Sequence, residues 1–312
     1  MSITLAEASK LSNDVLLQGV IETVIKDSPV LQVMPFIEIV GNGLTYNRET
    51  ALAAAAWHAP LGDWVTPTAP TFDQLTATLA VLGRNADVDS FIKQTRSNIQ
   101  DIEAAVLELA AKSVRQEFER AFIYGCIADY LGMTGDANSI NGLIKLIATG
   151  TASSQVIAMG ATGASLTLAK LDELIDAVKG GKPDLLLMSK RSRRKINALA
   201  RAAGSNLEVG TGKLGEFAQF YNGIQIGVSD YVLDVHVLTA SVETAVTGGT
   251  CSTIYALQFG EGAVCGATNG GIQVEPIGAL EGKDAIRNRI KWYVGLVDFC
   301  IQRRAALIGV QD

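Results

Sequence analysis

Catalytic side chains are scarce in this 312-residue chain, which has two histidines, His58 and His236. Proton transfer at neutral pH is most often carried by histidine, so acid–base chemistry has few places to reside. Four cysteines (Cys126, Cys251, Cys265, Cys300) stand singly, without the CxxC pairs of zinc sites. That spacing predicts reduced, mostly buried thiols rather than disulfides or a metal, and no cofactor. No apolar run approaches the roughly 18 residues of a membrane-spanning helix, and the start MSITLAEASK lacks the basic opening of a signal peptide. The expectation is therefore no membrane contact. Net charge is −6, so the chain as a whole is not an electrostatic nucleic-acid binder, although a local basic face remains open. No lysine falls between Lys26 and Lys93. No repeat period marks a solenoid or propeller.

What is present is elongated. Pro35 to Asn47 and Thr71 to Asp89 are predicted to pair as a hairpin, apolar at alternate positions such as Leu75, Ala77, Leu79 and Val81. A strand of about 12 residues extends roughly 40 Å, further than a compact domain needs internally. Between the strands, residues 51–71 hold three prolines and two tryptophans. Trp57 and Trp64 suit anchors at an interface; the alternative is that they fold back on the hairpin.

The next segment, Ser97 to Gly125, predicts a single long helix of roughly 40 Å. Ile99, Ile102, Val106 and Leu109 form its apolar stripe, continued by Val114, Phe118 and Phe122. Glu103, Glu108, Lys112, Arg115, Glu117, Glu119 and Arg120 read as its solvated side, with Glu108 and Lys112 at the favourable i,i+4 spacing. Residues 1–28 also read as helical, with capping-box spacing at Thr4 and Glu7.

Farther along, Thr167 is placed to cap a helix that stops at Gly180-Gly181-Lys182-Pro183. Residues 184–189 then read as a short buried strand, and Ser189 as the cap of a helix running to Ala203. From Tyr221 onward short β runs dominate. The class is α+β.

Three constellations invite a chemical reading. Asp234 and His236 would share one strand face, which suits an oriented imidazole in an enzyme or, more simply, a surface pair. Gly210 to Gly215 matches GxGxxG but does not join a strand to a helix, which makes it a flexible loop. Lys190, Arg191, Arg193, Arg194 and Lys195 begin a helix, where cations oppose the dipole and call for a counter-charge. A nucleic-acid phosphate, a neighbouring subunit's carboxylate or plain solvation would each serve.

Taken in order, these parts resemble the major capsid proteins of tailed double-stranded-DNA phages, the Hong Kong 97-type fold, over nearly the whole length. LGEFAQFYNGIQIGVSD (214–230), IYALQFGEGAVCG (254–266) and the closing IRNRIKWYVGLVDFCIQRRAALIGV (286–310) resemble the family's axial and closing strands. The resemblance implies an N-terminal arm (1–34), an extended loop (35–92), a peripheral domain with a spine helix (93–150), an axial domain (151–260) and peripheral return strands (261–312). It further implies hexamers and pentamers in an icosahedral shell around packaged DNA, a virion protein assembled in the host cytoplasm, with Arg48, Glu49, Trp57 and Trp64 at inter-subunit contacts and the cluster at 190–195 against DNA or a subunit. A separate scaffold, a portal and a decoration protein are the expected partners. The lysine-free stretch cannot supply the amine of an inter-subunit isopeptide bond, so a non-covalent shell is expected. An encapsulin-like compartment holding cargo enzymes is the alternative.

Overall fold

The computed structural model describes residues 29–51, 55, 57–61, 64, 69–96, 102–150, 155–204, 208–211, 217–239, 242–244 and 248–311. The helical reading of residues 1–28 lies outside them. The chain opens with a helical turn, α1 (Val30–Val33), then β1 (Phe36–Glu38), β2 (Gly43–Ala51), β3 (Thr71–Thr78), β4 (Ala80–Asp89), α2 (Ser90–Arg96) and α3 (Ile102–Tyr124). There follow α4 (Leu143–Gly150), β5 (Val156–Ala158), α5 (Leu168–Ala177), β6 (Leu185–Met188), α6 (Lys190–Ala202), β7 (Glu208–Thr211), β8 (Phe217–Tyr221) and β9 (Ile224–Val228). The order closes with β10 (Val237–Thr239), β11 (Val242–Thr244), β12 (Ser252–Leu257), β13 (Val264–Leu280), β14 (Lys283–Asp298) and β15 (Arg304–Val310).

Two sheets organise the body. Seven strands in the order β5-β15-β12-β6-β9-β8-β7 form the larger, and β1-β13-β14-β4 the smaller. Strand β6 is the run LLLM, buried at every position. Successive side chains of a strand point to opposite faces, so Leu186 and Met188 meet Leu171 and Leu174 of α5 and Ile196 of α6, while Leu185 and Leu187 join the layer containing α3. An all-apolar strand is thus the signature of a sheet covered on both sides. The caps read from sequence are formed: Thr167 accepts from Lys170 N and Ser189 from Ser192 N.

The predicted hairpin is divided between two sheets. Antiparallel pairing runs from Gly43↔Thr78 to Ala51↔Thr71, making a two-stranded arm. Residues 36–38 instead pair in parallel with β13, and β4 pairs with β14. Alternation is the same in both halves, so the local pattern does not say where the chain changes partners. The crossing occurs at Gly43, where the carbonyl of Ala77 would lie 2.9 Å from a Cβ.

The long helix also needs amendment. Residues 97–101, including Ile99, are outside the described residues, and α3 begins at Ile102. Its buried face is Ile102, Val106, Ala110, Val114, Phe118 and Phe122, whereas Leu109 is 40% exposed. Glu119, read as solvated, is 1% exposed and receives the Nε of Arg115 at 3.3 Å. The smaller sheet covers this face of the helix: Phe118 packs on Trp292 of β14 at 4.7 Å between ring centroids, and Phe36 on Trp292 at 5.6 Å. The i,i+4 pair holds, with Lys112 Nζ 3.5 Å from Glu108.

The β runs after Tyr221, expected to be short, are not all so: β13 is one strand of 17 residues, paired with the 16 of β14. Bulges at Thr268/Ile272 and Pro276/Gly278 absorb the glycines and proline that look like breaks in sequence. The expected single return segment, 261–312, therefore splits. β13 and β14 complete the smaller sheet, but β15 closes the larger one beside β12.

Candidate functional site

The two-stranded arm leaves the body at a compact root. Leu44, Tyr46, Ala77 and Leu79 pack with Phe299 against the buried Ile39, Cys265, Ala267 and Val297. The Tyr46 ring meets Phe299 edge-on at 5.0 Å, and its hydroxyl donates to Asp298 O at 2.8 Å. Arg48 is tied down within its own chain: Nε donates to Phe299 O at 3.2 Å, and Nη2 to Asp298 O at 2.5 Å and to Asp298 Oδ2 at 3.3 Å. From the body side, Arg304 donates Nη1 to the same Oδ2 at 2.5 Å and Nη2 to Leu146 O at 2.8 Å.

Tyr46, Asp298 and Arg304 were not singled out by sequence reasoning. An arginine opening an otherwise apolar run, RAALIGV, is the signal that could have found the last of them. Burial pulls its guanidinium below the ordinary arginine range, and Asp298 opposes that shift. A guanidinium out of water is tolerable beside a carboxylate, and here Nη1 and Nη2 are both bonded while Nε has no hydrogen-bond partner.

At the far end, Trp57 is 103% exposed and Trp64 84%, so neither folds back on the strands; Leu61 beside them is 108% exposed. The rings of His58 and Trp64 stack at 4.4 Å. Three large apolar side chains are thus held in solvent at the end of the arm.

The basic cluster has its counter-charges inside the chain. Lys190 Nζ lies 2.6 Å from Asp230 and Arg191 Nε 3.6 Å from Asp234, while Lys195 donates to Ser165 at 2.6 Å. Arg191 also donates to Thr250 O at 2.7 Å. Lys190 and Arg194 are the exposed members of the cluster.

The structure separates Asp234 from His236. His236 is not a surface residue but 1% exposed, with Nε2 2.6 Å from the Tyr124 hydroxyl and Nδ1 3.4 Å from Thr253. Gly210 and Thr211 lie in β7 rather than a loop; residues 212–215 are outside the described residues. All four cysteines are free, and three are buried. Among the described residues no helix is long and apolar enough to cross a membrane.

Residues 86–246, just over half the chain, match the model of the SU10 major capsid protein family. The chain belongs to the SU10 major capsid protein family. It is a structural protein of the phage virion, located in the capsid shell. The matched span runs from β4 through α3 and most of the larger sheet, and ends before the long β13–β14 pair. No curated protein matches it in sequence. Solved capsid chains share its fold at low identity. The capsid of a native GTA particle is 15% identical, with a TM-score of 0.64 over 98% of this chain and 97% of that one. The capsid of Myoviridae phage XM1 is 14% identical, with 0.63 over 95% and 97%. The SrpI encapsulin of Synechococcus elongatus PCC 7942 is 15% identical, with 0.68 over 100% and 97%. These likenesses extend the capsid fold to the arm and the closing strands, which the family model does not reach.

Proposed function

We propose that this capsid protein forms hexamers and pentamers of an icosahedral shell around double-stranded DNA, held together without covalent cross-links and without a catalytic step. The observation that carries the reading is the arm: a two-stranded projection whose tip exposes Trp57, Leu61 and Trp64 to solvent. Many copies each making several modest contacts close a shell that no single contact could hold.

In this reading α3 is the spine helix, residues 1–34 the N-terminal arm, and residues 35–92 the extended loop. The peripheral domain is built from residues 93–150 and the β13–β14 pair, and the axial domain from residues 151–260 with β15 added. Glu49, Trp57 and Trp64 contact a neighbour, and Arg48 aims the arm that carries them. In the 190–195 cluster, Lys190, Arg191 and Lys195 serve mainly their own chain, and Arg193 and Arg194 meet DNA or a neighbouring subunit. A scaffold protein, a portal and a decoration protein complete the set of partners.

A second reading is an encapsulin-like compartment, favoured by the full-length likeness to the SrpI encapsulin. Electron microscopy of particles from infected or induced cells separates the two. Shells filled with double-stranded DNA support the capsid reading, and small shells filled with protein overturn it.

A further inference from the structure

We infer that Asp298 is the positioning residue of the arm: Arg304 fixes its carboxylate from the body, and Arg48 is the releasable grip that sets the arm's angle. The two guanidiniums that share Oδ2 are unequal. The Arg304 side chain is 1% exposed, so its charge has no way back to water and the pair with Asp298 is permanent. The Arg48 side chain is 19% exposed and sits at the solvent edge, where letting go costs little beyond the bonds themselves.

Position makes that grip matter. Arg48 is the outermost residue of β2 or β3 with a hydrogen bond to the body among the described residues, just past the apolar packing of Leu44 and Tyr46. Beyond it the arm runs out to the tryptophans, so a small rotation at Arg48 becomes a large displacement at the tip. There is room for that rotation. A cavity of about 540 Å³ lies between the arm and the body, lined on one side by Leu75, Thr76 and Thr78 and on the other by Ile140, Asn141 and Leu146. Arg48, Asp298 and Arg304 line the same space, so the grip borders it directly.

The inference concerns the single chain and does not depend on the shell reading. Hydrogen–deuterium exchange on the full chain tests it, with peptides from β2 and β3 read against β6 and β12 as internal controls. Arg48→Gln is expected to speed exchange in the arm by roughly tenfold or more, the protection that a charged hydrogen bond supplies, while β6 and β12 stay unchanged. Arg48→Lys keeps the charge and restores part of the protection. Raising salt on the unaltered chain loosens the arm selectively, because the grip at the solvent edge is screened and the buried pair is not. Arm exchange unaffected by Arg48→Gln overturns the proposal. So does an equal rise in β6 and β12, which would make Arg48 a general stabiliser rather than a grip.

Discussion

The hydroxyl of Tyr124, on the last turn of α3, lies 2.6 Å from Nε2 of His236, which is 1% exposed. Leu233 N donates to the same hydroxyl at 3.1 Å. The other ring nitrogen, Nδ1, lies 3.4 Å from the Thr253 hydroxyl, so both nitrogens face a polar group. This histidine is mortar between the long helix and the larger sheet.

Tyr124→Phe removes the hydroxyl that pairs with a buried ring nitrogen and is expected to cost about 1–3 kcal/mol. Urea unfolding of the two chains measures it. An unchanged midpoint would mean that the contact is not structural.

Acid should destabilise the fold through two ion pairs. Arg287 grips both oxygens of Asp87, at 2.6 and 2.7 Å, and holds its carboxyl below the usual carboxylate range. Lys93 and Asn288 do the same for Glu103. A carboxyl whose pKa is depressed in the fold binds protons more readily when unfolded. Its stabilisation is therefore full above the unfolded value, near pH 4, and is lost as pH falls through the folded one. Melting temperatures recorded across that window should fall steeply, and Asp87→Asn should give a lower neutral value with a shallower acid slope.

Burial, with Glu261 and Asp298 adding to it, pushes the Cys265 thiol up to about 11. Only the thiolate is nucleophilic, so Cys265 should resist iodoacetamide at neutral pH until the chain unfolds. Cys300, partly exposed, should be modified first. Mass mapping of the labelled peptides gives the order.

Replacing both Trp57 and Trp64 by alanine should leave the melting temperature unchanged and sharply reduce particle yield, since buried aromatic anchors carry about 2 kcal/mol or more each at an interface. Particle counts by electron microscopy at matched protein concentration decide it. Normal yield would remove the tryptophans from the interface.

No lysine lies between Lys26 and Lys93, so the arm has no amine to join to a neighbour's side chain. Assembled particles boiled in detergent should run as a single monomer band. A ladder of higher species would show that another residue supplies a covalent link.

Much of this was open to reading along the chain. The caps at Thr167 and Ser189, the buried run at 185–188 and the apolar face from Val114 to Phe122 each depend on residues within a turn or two of one another. The site was less open. Trp57 and Trp64 stood out as residue types in a proline-rich loop, but nothing near Asp298 or Arg304 in sequence announces that they meet Arg48, some 250 positions earlier. Glu119 misled for the same reason, because helical spacing places it correctly on the cylinder and says nothing of what covers that side.

By itself the sequence determined the elements, their caps and the presence of a long projection with an aromatic tip, because those follow from backbone sterics and side-chain periodicity over a few residues. Only the tertiary structure decided which sheet each strand joins, that β13 and β14 are single long strands, and that two distant arginines share one buried carboxylate. Those outcomes rest on the desolvation and register of segments far apart in the chain, and such energies exist only once the segments are in contact.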